Sequence, residues 1–257
     1  MARIHPSSIV APGAELGADV EVGPFCTVGP HVKLGAGTRL ISHAVVDGWT
    51  TLGEGCTVYP FASVGMQTQD LKFKGGAPRT EIGSHTTIRE SVTIHAATFD
   101  GDATRVGSHC HIMAYVHIAH DCVVGDRVIM ANCATLAGHV IVEDRAILGG
   151  LSAVHQFVRI GRLAIIGGCT KVTQDVPPYM MADGNPIAVP TINSIGLKRA
   201  EVPEASQKAI KLAHRILYRQ DLGTSKALET IERELEQTAE IRQLVEFIRA
   251  SERGIVK

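Results

Sequence analysis

Residues 117–140, HIAHDCVVGDRVIMANCATLAGHV, carry an aliphatic side chain at every sixth position. The register is marked by Ile118, Val124, Met130 and Leu136. A period of six fits neither an amphipathic helix, whose period is 3.6 residues, nor a half-buried strand, whose period is two. The stretch therefore predicts short strands separated by tight corners, each strand placing one aliphatic side chain in a common interior.

The same register extends over about two thirds of the chain, from Ile4 to Val172. Of the 29 positions that it visits, 26 are Ile, Leu, Val or Met, so chance does not explain the pattern. Three hexapeptides make one triangular coil of 18 residues, and stacked coils pair their strands in parallel about 4.8 Å apart. Because a regular short repeat is typical of a solenoid, the sequence predicts a parallel β-helix domain over residues 1–190.

Two irregular segments, residues 65–81 and 95–105, interrupt the pattern without shifting its phase. They are predicted to be loops extruded from intact coils, and loops on a rigid scaffold often carry functional residues. The repeat stops at two consecutive prolines, Pro177 and Pro178, which cannot continue a ladder. Residues 191–257 are predicted to form a small α-helical C-terminal domain. Its expected helices cover about 204–220, 224–237 and 240–252.

The composition argues against several classes of protein. The formal net charge of −1 gives no basic field that would attract nucleic acid. No apolar run approaches the roughly 18 residues of a membrane span, so no stable membrane insertion is expected. The six cysteines form no C-x-x-C pair, which favours reduced thiols in a cytoplasmic protein. Aromatic residues make up only 4% of the chain, which suits an interior too narrow for rings.

An 18-residue coil places residue i next to residue i+18, so polar residues that are distant in sequence become neighbours. The polar cluster predicted for one edge of the prism consists of His120, Asp121, Gly138, His139 and Gln156, with His117 and His155 nearby. This prediction follows from the periodicity alone.

Three interpretations of the cluster are compatible with the residue pattern. In the first, the side chains are ordinary solvent-facing residues. In the second, His117 and His120 bind Zn²⁺ together with His95 or His139, although nothing in the spacing selects the required columns. In the third, His120 is a general base, because a neutral imidazole suits removal of an alcohol proton near neutral pH.

Several strings resemble, in order and spacing, the bacterial UDP-N-acetylglucosamine acyltransferases of lipid A biosynthesis. Besides the 117–140 stretch, they are GPFCTVGPHV (23–32), QDLKFKG (69–75), IRESVTIH (88–95), AVHQF (153–157), GGCTKVTQDVPPY (167–179) and GLKRA (196–200). The combination of HIAHD with LAGH one coil later is specific, whereas a bare hexapeptide repeat indicates only the superfamily.

The resemblance implies a left-handed β-helix and a homotrimer with active sites between neighbouring prisms. It also implies that an (R)-3-hydroxyacyl group is transferred from acyl carrier protein to the 3-hydroxyl of UDP-N-acetylglucosamine. No cofactor and no metal are implied, because the acyl group arrives on the phosphopantetheine of the carrier protein.

The resemblance further assigns roles to individual residues. Catalytic roles are implied for His120 as general base, Asp121 as the carboxylate that orients it, and Gly138 as an N–H donor to the oxyanion. Substrate contacts are implied for Gln69, Asp70, Leu71, Lys72, His95, His117, His139, His155, Gln156, Asn193 and Arg199. Gly168 matches the position that limits acyl length, and a glycine there implies a chain of about fourteen carbons. The basic side chains predicted to dock the acidic carrier protein are Lys198, Lys208, Lys211, Arg215 and Arg219.

Four positions depart from the family pattern. Ala96 and Ala97 replace the commoner Arg-Gly after His95, Ala200 replaces an Arg, and Ile195 stands where an acidic residue is usual. These differences concern nucleotide affinity and leave a 3-amino sugar nucleotide open as the acceptor. Three further functions stay open at this point: the later N-acyltransferase of lipid A synthesis, a zinc-dependent β-helix carbonic anhydrase and a non-catalytic scaffold.

Overall fold

The computed structural model describes residues 1–257, and about two thirds of the chain winds into a left-handed parallel β-helix. The parallel β-helix predicted from the hexapeptide register and the left-handed winding implied by the family resemblance are thereby confirmed. The strands in chain order are β1 (Arg3–Ile4), β2 (Ile9–Val10), β3 (Glu15–Leu16), β4 (Glu21–Val22), β5 (Thr27–Val28), β6 (Lys33–Leu34), β7 (Arg39–Leu40), β8 (Val45–Val46), β9 (Trp49–Leu52), β10 (Thr57–Val58), β11 (Ser63–Met66), β12 (Arg79–Ile82), β13 (Thr87–Ile88), β14 (Thr93–His95), β15 (Ala103–Val106), β16 (His111–Ile112), β17 (His117–Ile118), β18 (Val123–Val124), β19 (Ile129–Met130), β20 (Thr135–Leu136), β21 (Ile141–Val142), β22 (Ile147–Leu148), β23 (Ala153–Val154), β24 (Arg159–Ile160), β25 (Ile165–Ile166), β26 (Lys171–Val172), β27 (Met180–Asp183) and β28 (Ala188–Ile192).

The strands form three sheets, which are the faces of a triangular prism. Face A contains β1, β4, β7, β10, β13, β16, β19, β22, β25, β27 and β28; face B contains β2, β5, β8, β11, β14, β17, β20, β23 and β26; face C contains β3, β6, β9, β12, β15, β18, β21 and β24. From β1 to β26, consecutive strands therefore lie on consecutive faces, and each connection turns one edge of the prism.

Contacts between stacked coils give the length of each coil. In a regular coil, the backbone N–H of Asp126 donates to the Asp144 side chain across 18 residues. Where a loop intervenes, the separation grows to 30 residues between Glu54 and Ser84 and to 24 residues between Thr86 and Cys110. Both separations are multiples of six, so each loop adds whole hexapeptides and the register survives. Between the flanking strands, loop 1 covers residues 67–78 and loop 2 covers residues 96–102.

Corner residues and glycines have separate tasks in this fold. Most corners hold one residue in the left-handed region, for example Asp121 and His139, both with φ of 59°. Asp and His are among the residues that tolerate this conformation better than most. The glycines that directly follow the aliphatic anchors instead allow neighbouring coils to approach. At Gly125, for example, a Cβ would stand 2.8 Å from the backbone nitrogen of Asp144.

The interior of the prism is a column of aliphatic side chains. Ile112, Ile118 and Leu136 are fully buried, and they occupy the sixth-residue positions. The buried aromatic residues, Tyr179 and Phe247, lie instead at the junction with the helices, where the Tyr179 hydroxyl hydrogen bonds to the Gln243 side chain of the last helix. The low aromatic content of the sequence is therefore a property of the prism interior.

The chain after the prolines forms a β-hairpin, for which the hexapeptide register gives no signal. β27 pairs in parallel with β25 and antiparallel with β28. Burial alternates along β27, with Met180 and Ala182 inside and Asp183 exposed. The predicted boundary between residues 190 and 191 lies within β28.

Four helices follow the hairpin, and three of them lie where helical periodicity predicts them. The helices are α1 (Ser194–Arg199), α2 (Glu204–Arg219), α3 (Thr224–Glu234) and α4 (Ala239–Arg249). The short α1 was not predicted. The chain end returns to the prism, where Ile255 forms a β-bridge with Asp175. None of the helices has the length and apolar character required to cross a membrane.

Candidate active site

One edge of the prism, between faces B and C, carries both the polar cluster and the two loops. The corners after β17, β20 and β23 stack here, because these three strands are neighbours in face B. Loop 1 leaves the prism after β11 and loop 2 after β14, which are the preceding strands of the same face. Residues from the loops and from the regular corners therefore meet at this edge, which we call the B–C edge.

The imidazole of His120 is tied to two groups through one nitrogen. Its Nδ1 lies 2.8 Å from Oδ2 of Asp121 and 3.1 Å from Oγ1 of Thr98. The Thr98 hydroxyl donates its proton to Oδ2 of Asp70 at 3.2 Å. The lone pairs of Oγ1 therefore face the imidazole, and Oγ1 is an acceptor there. Both neighbours of Nδ1 act as acceptors, which places the proton of a neutral ring on Nδ1 and leaves Nε2 with a free lone pair.

Gly138 lies directly against this free nitrogen. A Cβ at residue 138 would stand 2.5 Å from Nε2 of His120, a distance that no ordinary contact permits. The backbone N–H of Gly138 donates no hydrogen bond within the chain. A base nitrogen and an unpaired backbone donor therefore occupy the same small region of the B–C edge, as the periodicity of the coil predicts.

Asp121 is held from three sides. Its backbone N–H donates to Oγ1 of Thr104 at 2.8 Å, and its Oδ1 accepts from the backbone N–H of Thr98 at 3.2 Å. Its Oδ2 lies 3.6 Å from Nε2 of His139 in addition to its contact with His120. The side chain is only 10% exposed, so water competes little for these bonds and the carboxylate is fixed in place.

His139 completes the wall of the site. Its ring stacks on Phe157 with centroids 4.6 Å apart and meets the His120 ring edge-on at 5.2 Å. These two contacts limit rotation of the His139 ring, so its Nε2 stays directed at the carboxylate of Asp121.

Loop 1 presents Asp70 to the same site. The backbone N–H of Lys72 donates to Asp70 at 3.0 Å, and this bond, with help from Thr98 and His120, holds the pKa of the Asp70 carboxyl below its ordinary value. Asp70 is therefore ionised near neutral pH. The neighbouring side chains of Gln69, Leu71 and Lys72 are exposed and available to a ligand.

His95 and His117 form a second pair of histidines beside the cluster. Their rings meet edge-on at 5.0 Å, and Nδ1 of His117 lies 2.7 Å from Oγ1 of Thr93. Burial, followed by the nearby His95 and His120, lowers the pKa of His117 to about 4. Burial also lowers the pKa of His95. Both rings are therefore neutral near pH 7 and suit hydrogen bonding or packing rather than charge pairing.

A metal ion at this edge would find ligands in His120, Asp121 and His139, whose ligand atoms lie within 4.8 Å of one another. This set differs from the predicted combination, because Nδ1 of His117 is turned toward Thr93. Two His and one carboxylate are suitable ligands for Zn²⁺. However, Nδ1 of His120 faces two acceptors and therefore carries the ring proton, so only Nε2 of this ring could bind a metal.

His155 and Gln156 lie on the same edge, one coil beyond Gly138, and both are exposed. Nδ1 of His155 contacts the carbonyl of Gln156 at 3.2 Å, and the amide of Gln156 has no partner in the chain. Gln156 is therefore free to contact a ligand bound at His120.

Asn193 and Arg199 lie on another part of the molecule, where they line a groove of about 650 Å³ along face A. The Asn193 side chain is buried and donates to the carbonyl of Leu163 at 2.8 Å. It also accepts from the backbone N–H of Gly196 at 2.8 Å and thereby caps α1. Its amide is thus engaged within the chain, whereas Arg199 is exposed and has no partner.

Gly168 lies on the A–B edge, the edge between faces A and B, because it follows β25 and precedes β26. It is exposed, and a Cβ at this position would lie 3.3 Å from the carbonyl oxygen of Gly150. A single chain therefore does not bring Gly168 together with His120.

The five predicted docking residues are all exposed, and four of them lie on one face of α2. Lys208, Lys211, Arg215 and Arg219 line a groove of about 530 Å³ between α2 and β28, while Lys198 belongs to α1. The spacing of three and four residues explains their common orientation. They form a positively charged surface, which we call the α2 basic groove.

Sequence reasoning missed the threonines that hold the site. Thr98 and Thr104 touch Asp121, and Thr98 also touches His120 and Asp70. Thr104 lies in β15 directly after loop 2, and Thr98 lies inside that loop, where the six-residue period assigns no position. Their only signal in the sequence is a hydroxyl residue within an extruded loop and another in the strand that follows it.

Comparisons with known proteins agree with this architecture. The family model described as "Udp N-acetylglucosamine O-acyltransferase; Domain 2" matches residues 175–256, and the "Bacterial transferase hexapeptide (six repeats)" model matches residues 103–138. Proteins named acyl-(acyl-carrier-protein)–UDP-N-acetylglucosamine O-acyltransferase are similar over the whole chain. The one from Thermodesulfovibrio yellowstonii is 50% identical over 100% of both chains. The one from Syntrophobacter fumaroxidans is 45% identical over 99% of this chain and 100% of its own. The solved structure of LpxA from Acinetobacter baumannii superposes with a TM-score of 0.95 at 41% identity, covering 99% of each chain.

Proposed function

The chain belongs to the family of acyl carrier protein-dependent UDP-N-acetylglucosamine O-acyltransferases, and we propose that His120 is the general base of its reaction. The protein is an acyltransferase of lipid A biosynthesis, and its substrates are UDP-N-acetylglucosamine and acylated carrier protein. The observation that carries the proposal is the free Nε2 of His120 beside the unpaired N–H of Gly138.

In the proposed step, the sugar 3-hydroxyl oxygen attacks the thioester carbonyl of an (R)-3-hydroxyacyl donor. Nε2 of His120 takes the hydroxyl proton as the carbon–oxygen bond forms. The carbon–sulfur bond of the tetrahedral intermediate then breaks, and the imidazolium returns the proton to the departing thiolate. The products are the 3-O-acyl sugar nucleotide and the free thiol of the carrier, and the proposed transfer requires no cofactor or metal.

Asp121 and Gly138 support this step electrostatically. The Asp121 carboxylate, 2.8 Å from Nδ1, favours the imidazolium that forms when His120 takes the proton. The N–H of Gly138 is the proposed donor to the oxyanion. A donor of this kind contributes about 2.7–4 kcal/mol when it is aimed at the developing charge.

Loop 1 is the proposed binding segment for the sugar diphosphate. Asp70 is ionised and faces His120 across Thr98, which suits a hydrogen bond to a sugar hydroxyl. The exposed ammonium group of Lys72 suits the diphosphate, because a Lys is a compact point charge. Further proposed contacts on loop 1 and on the B–C edge are Gln69, Leu71, His139, Gln156 and His155, with His95 and His117 as neutral pocket residues.

A homotrimer is part of the same proposal, because the acyl slot needs two edges. His120 lies on the B–C edge and Gly168 on the A–B edge of one chain. Three chains around a threefold axis would bring the B–C edge of one prism beside the A–B edge of the next. The A–B edge also exposes large apolar side chains, with Tyr115 65% and Leu151 64% exposed, and an interface between prisms would cover them.

The α2 basic groove is the proposed docking surface for the acidic carrier protein, and Lys198 of α1 is a further proposed contact. Arg199 is the proposed contact for the nucleotide. Asn193, which caps α1, is proposed to shape the start of that helix. Ile195 is 66% exposed and Ala200 offers no charge, so Arg199 would act there without the usual charged neighbours. A cytoplasmic location also belongs to this proposal, because all six cysteines are free thiols.

An acyl-transfer assay tests the proposed role of His120. Wild type and His120→Gln are incubated with UDP-N-acetylglucosamine and 3-hydroxyacyl carrier protein, and the ester product is measured. His120→Gln should lose a factor of about 10² or more in kcat, because it retains a polar side chain but no base. A parallel arm with the 3-amino sugar nucleotide determines whether this chain prefers an amine acceptor. Turnover of His120→Gln at the wild-type rate would remove the general-base assignment.

A further inference from the structure

Thr98 is absent from the set of predicted site residues, yet it contacts three of them. Its Oγ1 lies 3.2 Å from Oδ2 of Asp70 and 3.1 Å from Nδ1 of His120. Its backbone N–H donates to Oδ1 of Asp121 at 3.2 Å. The residue is only 1% exposed, so water does not compete for its hydroxyl. Thr98 is therefore the one residue that joins loop 1 to the His120–Asp121 pair.

The direction of these hydrogen bonds follows from the chemistry of the partners. An ionised Asp70 carboxylate can only accept, so the hydroxyl proton of Thr98 points toward Asp70. The lone pairs of the same oxygen then face Nδ1 of His120. A proton on Nδ1 finds two acceptors, Thr98 and Asp121, whereas a lone pair on Nδ1 would face two oxygens and be repelled.

We propose that Thr98 is a positioning residue whose hydroxyl, oriented by Asp70, holds His120 in the Nδ1–H tautomer and couples loop 1 to the base. This inference rests on the proposed role of His120 in acyl transfer. An acceptor sugar that binds to Asp70 orders the carboxylate, and the carboxylate orders the hydroxyl that faces Nδ1. Acceptor binding and base orientation are thereby linked through one buried hydroxyl group.

Thr98→Val and Thr98→Ser provide a matched pair of variants. Valine keeps the shape of threonine and removes the hydroxyl, whereas serine keeps the hydroxyl. We expect Thr98→Val to lower kcat about tenfold with a KM for the sugar nucleotide within about threefold of wild type, and Thr98→Ser to restore most of the loss. If the valine variant does not fold, Thr98→Ala serves in its place.

The tautomer itself can be measured without turnover. Nitrogen NMR of protein labelled with ¹⁵N-histidine distinguishes Nδ1–H from Nε2–H, and the His120 signals are identified by their absence in His120→Gln. We expect wild type to show the Nδ1–H form and Thr98→Val to gain Nε2–H. Asp70→Asn should change the tautomer in the same direction, because an amide can donate to the Thr98 oxygen and reverse the hydroxyl.

The outcomes separate this inference from the proposed function. An inactive His120→Gln together with a Thr98→Val that retains wild-type kcat and the wild-type tautomer would overturn the role of Thr98 alone. An active His120→Gln would overturn the general base and, with it, the coupling. Loss of kcat in both Thr98→Val and Thr98→Ser would also contradict the inference, because the hydroxyl would then not be the group that matters.

Discussion

The imidazole of His120 lies directly above the backbone of Gly138, although a full coil separates them in the sequence. A Cβ on Gly138 would stand 2.4 Å from Cε1 and 2.5 Å from Nε2 of the ring. Glycine is therefore required here for space and not for backbone conformation, since Gly138 has no positive φ. The contact limits where the imidazole can lie, and in the proposed mechanism it sets which peptide N–H faces the reacting carbonyl.

Gly138→Ala should therefore damage catalysis more than folding. The added methyl group displaces the imidazole and blocks the approach to the N–H of residue 138. We expect kcat to fall about 10²-fold or more, as for the loss of one oxyanion donor. The control is Gly223→Ala, because a Cβ at that position meets no atom within 4 Å. Similar kcat values in the two variants would contradict the proposed role of Gly138.

Asp121→Asn should make His120 a less effective base without disturbing the backbone at residue 121. Asn tolerates the left-handed conformation that residue 121 adopts at φ of 59°, so the backbone can be retained. The amide no longer stabilises the imidazolium and can donate to Nδ1, which favours the wrong tautomer. We expect kcat to fall by a factor of about 10–10², with a smaller effect on KM for the sugar nucleotide. A variant with unchanged kcat would show that the contact of 2.8 Å is only structural.

The regular part of the site was predictable from the sequence because the coil is periodic. His120 and Gly138 lie in uninterrupted coils, so counting three hexapeptides along the chain places them together. The same count fails in the loops, because both loops insert extra hexapeptide lengths whose residues follow no period. Loop 1 brings Asp70 to the site, where Thr98 links it to His120, and only the resemblance indicated that Asp70 belongs there.

The helical region shows a second limit of prediction from sequence. Periodicity located α2, α3 and α4, but it says nothing about how a single polar side chain is used. The resemblance implied that Asn193 contacts the nucleotide. In the structure, its side-chain amide is hydrogen-bonded to the carbonyl of Leu163 and the backbone N–H of Gly196. An N-cap Asn ahead of a helix as short as α1 gives too weak a sequence signal, because six residues contain less than two turns.

Gly168→Met should shorten the preferred acyl chain. The glycine is exposed on the A–B edge, and a longer side chain would occupy the slot in which we place the acyl tail. Competition assays with carrier proteins that bear different 3-hydroxyacyl lengths measure the preference. We expect the wild type to favour chains of about fourteen carbons and the variant to favour shorter ones, because occlusion removes room at the far end. An unchanged preference would remove Gly168 as the length-limiting residue.

Charge reversal on α2 should weaken binding of the carrier protein and leave binding of the sugar nucleotide unchanged. In Lys211→Glu/Arg215→Glu, two cations of the α2 basic groove become anions. We expect KM for the acylated carrier to rise about tenfold or more and to depend less on salt than in wild type, with KM for the nucleotide unchanged. Lys226→Glu on α3 is the control, because its exposed ammonium lies outside the groove. Equal effects in both variants would mean that net charge, and not this groove, is recognised.

The half-buried His117 should make the fold sensitive to mild acid. Its pKa is about 4 in the folded protein and near 6.5 in an unfolded chain, since burial disfavours the charged ring. Between these two pH values the unfolded chain binds a proton that the folded chain does not, so the free energy of unfolding falls as pH falls. From pH 7 to pH 5 this single group should remove about 1–2 kcal/mol per chain. Urea denaturation of His117→Gln at both pH values should therefore show a smaller acid loss than wild type. The exposed His155, changed to Gln, serves as the control and should leave the acid loss as in wild type. An equal acid loss in wild type and His117→Gln would mean that residue 117 titrates normally and is open to water.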